Sequence, residues 1–383
     1  MKKITLFTLM VFIGAGLFAQ NDYLDAQAEP DEKVYTGGET YQVKQFPQKY
    51  KKNNPKNIIL MIGDGMGVAQ VFAGLTANQG NLYLKNFKNI GFSTTHSADK
   101  YITDSAAGGT ALSAGVKTNN GAIGVDPDGK KVKTILEEAE EKGLSTGLVS
   151  TSSITHATPA SFIAHQVSRN MYEEIAADFL NTDFEVLIGG GKEHFTKRKD
   201  QRNLVEELSQ KGYVIKPDLN KIGNVKGDKL VCLTADKHNP RMAERADMLP
   251  VATKTAVNLL SQNKKGFFLM VEGSQIDWGG HAKSTIYIVE DMLDFDRAIG
   301  QALEFAADDG KTLVIVTADH ETGGMAITGG DLKTGMVKAD YPTGGHTGIM
   351  VPVFAYGPGA EEFTGIMDNT DIYKKMNKLL IQK

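Results

Sequence analysis

The sequence contains one cysteine, Cys232, and its formal net charge is only −4 over 383 residues. A single cysteine cannot form a disulfide within its own chain, and the apolar run Lys229–Leu233 around it predicts a buried, inert thiol. The small negative charge is not that of a protein that binds nucleic acids or anionic membrane surfaces. We therefore expect no nucleic-acid-binding module.

One apolar stretch stands at the N-terminus. Lys2 and Lys3 precede the apolar residues Ile4–Phe18, and Ala19 fits a cleavage site. The stretch is short for a membrane span and lacks a stop-transfer flank. It predicts a signal peptide over residues 1–19, a periplasmic or secreted protein, and no transmembrane domain after cleavage. An uncleaved anchor is the alternative.

The length is sufficient for one α/β domain with insertions. Residues 20–56 are polar and have no clear period, which predicts an N-terminal arm that is either exposed or clasps a partner. Residues 57–383 are expected to form the main domain. Within it, the stretch 328–345 is polar and rich in glycine, which predicts a surface loop or small insertion. The insertion is expected near residues 322–345.

Strand and helix patterns alternate along the main domain. This alternation predicts an α/β fold, a sandwich in which a mostly parallel central sheet has helices on both faces. Apolar runs typical of buried strands occupy 57–62, 144–149, 186–188, 230–233, 267–271, 313–316 and 351–356. Helical patterns occupy 134–142, 161–169, 172–180, 204–211, 247–262, 288–307 and 371–380.

A serine follows an aspartate in the stretch Tyr101–Thr110. Asp104 has the chemistry of a helix N-cap, and small residues suited to a buried helix follow it. Ser105 would then lie in the first helical turn, where free backbone N–H groups favour an anion. By itself, this stretch is more typical of an ordinary capped helix than of a site.

Acidic residues and histidines follow several of the predicted strands. Ligands bind at the carboxyl ends of the strands in an open parallel sheet, so these positions are expected to converge. They are Asp64, Ser150 to His156, Glu272, Asp277, Asp319 and His320.

The spacing of Asp277 and His281 places both on one face if their segment is helical. His346 lies between glycines, which permit close approach to a ligand. The alternatives are a solvated Asp–His pair and a surface histidine. Aspartate with imidazole suits zinc, and oxygen-only sets suit magnesium. Asp64, on a tight glycine turn, could bridge two ions.

A metal cluster around a serine implies two-metal phosphoryl chemistry. The transferred phosphoryl group also needs a planar cation, and Arg169, at the end of the predicted helix 161–169, is the candidate. A surface arginine at a helix C-terminus is the alternative reading.

Taken together, these residues resemble the alkaline phosphatase family from about Asn57 to the C-terminal helix. Any one motif would be weak, but all occur in the family's order. The motifs are Gly63-Asp-Gly-Met-Gly67, Thr103-Asp-Ser-Ala-Ala107, Gly115-Val-Lys-Thr118, His156-Ala-Thr-Pro-Ala160, Val271-Glu-Gly…Asp277…His281, Thr317-Ala-Asp-His320 and Gly345-His-Thr-Gly348.

The resemblance implies a phosphomonoesterase, an alkaline phosphatase acting on small phosphate monoesters, in which Ser105 forms a phosphoserine that water then hydrolyses. Arg169 would clamp the phosphate and Asp104 would help to orient it. The resemblance also implies a homodimer and a catalytic domain over residues 57–383.

It further implies two Zn²⁺ ions and one Mg²⁺ ion. The first zinc would be held by Asp277, His281 and His346. The second would be held by Asp64, Asp319 and His320, with Ser105 completing it. Magnesium would take Asp64, Thr158 and Glu272.

The chain departs from some bacterial members at two positions. They carry Asp where this chain has His156, and Lys where it has Trp278. His156 would lie beside the magnesium ligands with less negative charge, and Trp278 removes a cation beside the phosphate. The other histidines match no family ligand and are expected to be structural.

Two other readings remain from the sequence. A phosphodiesterase or sulfatase on a related metal scaffold is one, although Ser105 lacks a sulfatase motif and a diesterase would lack an equivalent of Arg169. A non-catalytic metal- or phosphate-binding protein is the other.

Overall fold

The computed structural model describes residues 32–48, 50, 54–219 and 229–382. The predicted signal peptide, residues 1–19, lies outside the described residues. Of the predicted N-terminal arm, only 32–48, 50 and 54–56 are described.

A ten-stranded sheet forms the centre of the described part of the chain, in the order β15-β3-β14-β9-β2-β8-β4-β5-β7-β6. Only β14 runs antiparallel to its neighbours in this sheet, so the predicted mostly parallel sheet is confirmed. Its strands are β2 (Asn57–Gly63), β3 (Asn89–Thr94), β4 (Ser145–Ser153), β5 (Val186–Gly190), β6 (Val214–Lys216), β7 (Leu230–Leu233), β8 (Phe267–Gly273), β9 (Thr312–Thr317), β14 (Val351–Tyr356) and β15 (Gly365–Asp368).

Helices cover both faces of this sheet. Alternate residues of β2 show why, because Ile59 and Met61 belong to one apolar cluster and Ile58 and Leu60 to the other. The helices are α1 (Val68–Ala77), α2 (Ser105–Ala114), α3 (Ile135–Glu141), α4 (Ala157–Ala160), α5 (Tyr172–Asp178), α6 (Lys192–Thr196), α7 (Leu204–Gln210), α8 (Met242–Arg245), α9 (Met248–Leu260), α10 (Gln275–His281), α11 (Thr285–Asp309) and α12 (Asn369–Leu380).

The predicted insertion near 322–345 is a compact hairpin of β11 (Ala326–Asp331) and β12 (Met336–Asp340). The arm residues β1 (Val34–Tyr35) add a third strand to it. A separate pair, β10 (Glu321–Thr322) and β13 (His346–Thr347), closes the segment. This pairing places Thr322 opposite His346 and thereby carries His346 back toward the end of β9.

The predicted helix over 161–169 is wrong. After the short α4, the chain turns and pairs with another loop: the backbones of Gln166 and Ile123 exchange two hydrogen bonds of 2.9 Å. The amide of Arg169 donates to the carbonyl of Gly121 at 2.7 Å. These non-local backbone bonds override the local helical pattern, so Arg169 extends from a loop and not from a helix end.

Cys232 is a buried free thiol, as predicted, and burial raises its pKa to about 12.

The helices of the described residues include none with the length and apolar character of a membrane span.

Candidate active site

Ser105 is the first residue of α2, and Asp104 caps that helix. The Asp104 side chain accepts a hydrogen bond from the amide of Ala107 at 3.0 Å. The small residues of α2 allow close packing: a Cβ on Gly108 would lie 3.0 Å from the Cβ of Asp319. The predicted capped helix is therefore present, and it brings Ser105 against the end of β9.

The first group of candidate metal ligands is Asp277, His281 and His346, whose ligand atoms all lie within 4.8 Å of one another. Nε2 of His281 is 3.2 Å from Asp277 Oδ2. It is also 3.2 Å from Nε2 of His346. The helix α10 supplies two of these residues one turn apart, as their spacing predicted.

Both imidazoles of this group direct a lone pair at the same point. Nδ1 of His281 contacts the carbonyl of Gly344 at 2.6 Å, and Nδ1 of His346 contacts the carbonyl of Thr103 at 2.9 Å. Because a carbonyl only accepts hydrogen bonds, each Nδ1 is the donor and carries a proton. In a neutral ring, Nε2 is then unprotonated and can accept a hydrogen bond or bind an ion. Two acceptors and a carboxylate oxygen facing one another are the arrangement that a cation needs.

The second group surrounds Nε2 of His320. This nitrogen lies 3.4 Å from Asp64 Oδ1, 3.2 Å from Asp319 Oδ2 and 3.2 Å from the hydroxyl oxygen of Ser105. Asp64, Asp277 and His320 also place ligand atoms within 4.8 Å of one another, so Asp277 borders both groups. The candidate nucleophile Ser105 is thus in direct contact with a candidate metal ligand, His320.

The turn after β2 fixes Asp64. Gly65 has a φ of +73°, and a Cβ there would lie 2.7 Å from the Cα of Asp277. Only glycine suits that backbone and that close approach. Its amide donates to Asp319 Oδ1 at 3.3 Å, which ties this turn to the end of β9.

The third group is Asp64, His156 and Glu272, again within 4.8 Å of one another. Glu272 Oε2 accepts a hydrogen bond from the hydroxyl of Ser150 at 2.6 Å. Glu272 Oε1 and both carboxylate oxygens of Asp64 are buried and accept no hydrogen bond from the described residues. Thr158 is fully buried on the adjoining α4.

Burial and mutual repulsion govern the acidic groups. Burial, followed by repulsion from Asp319, Asp277 and Glu272, raises the pKa of Asp64 well above its ordinary value. Burial likewise raises the pKa of Glu272, and that of Asp319 to about 7. Burial opposes ionisation of Asp277 too, but the charge of a protonated His281 and its hydrogen bond to the carboxylate hold the pKa of Asp277 well below the ordinary range. A cation bound between neutral imidazoles would supply that positive charge instead. Buried carboxylates packed this closely need cations among them.

Arg169 lies beside these groups on the loop that replaces the predicted helix. Its Nη1 donates to Asp104 Oδ2 at 3.0 Å, and its Nη2 lies 3.1 Å from Nε2 of His156. Because a guanidinium only donates, Nε2 of His156 is the acceptor, and the proton of the neutral ring is on Nδ1. In this arrangement His156 has no lone pair left for an ion.

Sequence reasoning missed several polar residues that hold this site. The hydroxyl of Thr322 donates to Asp277 Oδ1 and lies 3.2 Å from Nδ1 of His320. Ser150 and Ser152 contact Glu272. His238, expected to be structural, borders His156 and Trp278. Its position just after a predicted strand, at the same sheet edge, was the available signal.

The fold is α/β, and a serine at a helix N-terminus lies next to groups of buried carboxylates and imidazoles. Together these features define a metal-binding hydrolase of phosphate esters. The family model described as alkaline phosphatase matches residues 55–339. The chain belongs to the alkaline phosphatase family, and it is a phosphomonoesterase.

Individual relatives agree with this assignment. The chain is 38% identical to alkaline phosphatase 3 of Bacillus subtilis (strain 168), over 87% of this chain and 91% of that protein. Among solved structures, the alkaline phosphatase of the Antarctic bacterium TAB5 is 44% identical, with a TM-score of 0.81 over 86% of this chain and 98% of that one. A variant of the TAB5 enzyme, in which aspartate replaces a histidine, has Mg bound in a site called M3; it is 43% identical, with a TM-score of 0.81 over 86% and 99% of the two chains.

The family assignment and the fold therefore confirm the resemblance read from the motifs. The diesterase, sulfatase and non-catalytic alternatives are not favoured. The family assignment and the three groups of candidate ligands likewise support metal binding by this chain.

Proposed function

We propose that Ser105 is the nucleophile of this phosphomonoesterase and forms a phosphoserine. The observation that carries the proposal is the 3.2 Å distance between the Ser105 hydroxyl and Nε2 of His320, inside a group of candidate metal ligands. In the first step, a bond forms between the serine oxygen and phosphorus as the ester P–O bond breaks, and the alcohol leaves with, in net, the proton that the serine hydroxyl gave up. A water oxygen then attacks phosphorus, the bond from phosphorus to the serine oxygen breaks, inorganic phosphate leaves, and the serine oxygen takes a proton back.

Arg169 is the proposed phosphate clamp. A guanidinium can bind two phosphate oxygens through parallel N–H groups. The ion pair with Asp104 holds one side of the guanidinium, and Asp104 in turn accepts a hydrogen bond from the amide of Gly121 at 3.0 Å. Asp104 therefore orients Arg169 as well as capping the helix of the nucleophile.

Two zinc ions and one magnesium ion are the proposed cofactors, and the donor chemistry fits them. Imidazole with carboxylate suits zinc, whereas the mainly oxygen donors around Glu272 suit magnesium. The buried oxygens of Asp64 and Glu272 that accept no hydrogen bond are consistent with ions at both places. When bound, such ions lower the pKa of a hydroxyl and stabilise the charge that develops on phosphoryl oxygens.

The proposed ligand sets are those that the family resemblance implies. Asp277, His281 and His346 would hold one zinc, and Asp64, Asp319 and His320 the other. Asp64, Thr158 and Glu272 would hold magnesium. The sequence motifs group His156 with the metal residues, and its contact with Arg169 favours a position beside the magnesium ligands rather than a bond to the ion.

We also propose export to the periplasm or medium, on the basis of residues 1–19, a catalytic domain over 57–383, and a homodimer, which the family resemblance predicts. Light scattering of the purified protein tests the dimer. N-terminal sequencing of the exported protein tests cleavage after Ala19.

The decisive experiment compares the wild type with Ser105→Ala, both supplied with zinc and magnesium. The wild type should hydrolyse 4-nitrophenyl phosphate much faster than the bis-ester or the sulfate. The variant should lose this activity, and unlike the wild type it should not become labelled on incubation with a ³²P-phosphate ester. Full activity in the variant would exclude Ser105 as the nucleophile.

A further inference from the structure

Three aromatic rings, one of which contacts Arg169, meet in one place and are called the ring cluster here: His156, His238 and Trp278. The rings of His238 and Trp278 are 4.8 Å apart at 82°, and those of His238 and His156 are 5.5 Å apart at 88°. His156 and Trp278 are 6.1 Å apart at 89°. Each ring therefore directs an edge at another, the favourable geometry for aromatic pairs.

His238 has a fixed orientation within this cluster. The amide of Ser153 donates to its Nδ1 at 3.0 Å. A backbone amide only donates, so Nδ1 carries no proton, and His238 is the neutral ring with its proton on Nε2. Ser153 is the last residue of β4, and His156 follows three positions later. One hydrogen bond thus links His238 to the segment that carries His156.

The loop that carries His238 is also tied to two neighbouring elements. The carbonyl of Lys237 accepts a hydrogen bond from the amide of Gly191 at 2.6 Å, at the end of β5. The carbonyl of Asn239 accepts one from the side chain of Gln275 at 2.8 Å. Gln275 begins α10, the helix of Trp278. The backbone on both sides of His238 is therefore held by hydrogen bonds that do not involve its ring.

We propose that His238 is a positioning residue for phosphate binding. Its ring supports Trp278 and His156, and His156 in turn accepts a hydrogen bond from Arg169 at 3.1 Å. Arginine has a long, flexible side chain, and fixing it before phosphate arrives reduces the entropy lost on binding. The inference rests on the proposed role of Arg169 as the phosphate clamp.

The test uses His238→Asn, because the asparagine oxygen can still accept from Ser153 while the ring is removed. His96→Asn is the matched control, since His96 is half exposed and its ring contacts Asp368 instead. Holoenzyme supplied with zinc and magnesium is used throughout. Inorganic phosphate is the probe, measured both as a competitive inhibitor and by calorimetry.

His238→Asn should weaken phosphate binding roughly 5- to 30-fold and raise KM by a similar factor, with kcat changed less than about threefold. Metal content should stay at the wild-type level, and His96→Asn should change none of these values. Unchanged phosphate affinity would overturn the proposal. So would a loss of affinity that tracks a loss of bound metal.

A double variant separates positioning from a general structural effect. If His238 acts through Arg169, then His238→Asn should cause no further loss of phosphate affinity in the Arg169→Ala background. An equal loss in both backgrounds would contradict the proposal. If Arg169→Ala alone bound phosphate as well as the wild type, the proposed clamp itself would fail, which is a distinct result.

Discussion

The hydroxyl oxygen of Ser105 lies 3.2 Å from Nε2 of His320. Helix α2 supplies the serine and the end of β9 supplies the histidine, 215 positions apart. Close packing makes this contact possible, because Gly108 leaves no side chain between α2 and Asp319. The position of the proposed nucleophile therefore depends on the packing of a helix against a strand end.

Replacing Ser105 by Ala should lower kcat at least about 10³-fold, because the residue proposed to form the covalent intermediate is lost. Steady-state hydrolysis of 4-nitrophenyl phosphate measures this. Ser113→Ala is a suitable control on the same helix: its buried hydroxyl donates to the carbonyl of Ser161 at 2.6 Å and contacts no candidate ligand. That variant should lose about 1 kcal/mol of stability and keep its activity.

Arg169→Lys should raise the inhibition constant of inorganic phosphate, since an ammonium cannot reproduce two parallel N–H bonds. We expect about 10-fold, measured by competitive inhibition, with Arg202→Lys as a control. Arg202 is a partly exposed arginine that also forms a two-pronged ion pair, with Glu207. Equal inhibition constants for wild type and Arg169→Lys would contradict the proposed role of Arg169 as the phosphate clamp.

His156→Asp should increase affinity for magnesium, because a carboxylate adds an oxygen donor next to Asp64 and Glu272. The same change removes Nε2 of His156, the atom that accepts the hydrogen bond from Arg169. Chelator-treated protein resupplied with zinc is titrated with magnesium and followed by activity and calorimetry, and the variant should give a lower Kd for magnesium. An unchanged or higher Kd would mean that residue 156 does not border a magnesium site.

Removal of metals should lower thermal stability as well as activity. Asp64, Asp277, Glu272 and Asp319 are buried together, and without cations their repulsion acts on the folded state. Scanning calorimetry before and after chelation should show a fall in Tm of at least several degrees. Zinc and magnesium together should restore it. A Tm that is insensitive to chelation would indicate that these carboxylates bind no ion.

Glu185 should make stability depend on pH. Burial raises its pKa to about 7, while its Oε2 accepts a hydrogen bond from the amide of Thr146 at 2.6 Å. Its pKa in the unfolded chain is about 4.3. The folded state therefore holds the proton more tightly, and stability contributed by the protonated form is lost as pH rises from about 4.3 through about 7.

Glu185→Gln keeps an acceptor for Thr146 and removes this titration. Relative to the variant, the wild type should lose about 1–2 kcal/mol between pH 5 and pH 8, after allowance for solvent screening. Urea unfolding at both pH values measures the difference. The exposed Glu141→Gln is the control and should show the same pH dependence as the wild type. A wild type that gains stability relative to Glu185→Gln would reverse the sign.

The sequence by itself determined the architecture and most of the candidate chemistry. Continuous apolar runs such as Phe267–Val271 predict buried strands, and neighbouring parallel strands bring the residues at their carboxyl ends to one edge of a sheet. Asp64, Glu272, Asp319 and His320 were therefore predictable as neighbours. The helical spacing of Asp277 and His281 was enough to put both on one face.

Tertiary structure decided what local patterns could not. The segment 161–169 looks helical, yet its backbone pairs with residues 121–123, and this moves Arg169 onto a loop. The bond from Ser153 to His238 joins residues 85 positions apart, and the Thr322–His346 pairing returns His346 to the site. These contacts depend on backbone partners far away in the chain, whereas periodicity records only the residue's own helix or strand. Local sequence therefore specified which chemical groups were available, and long-range packing decided which of them meet.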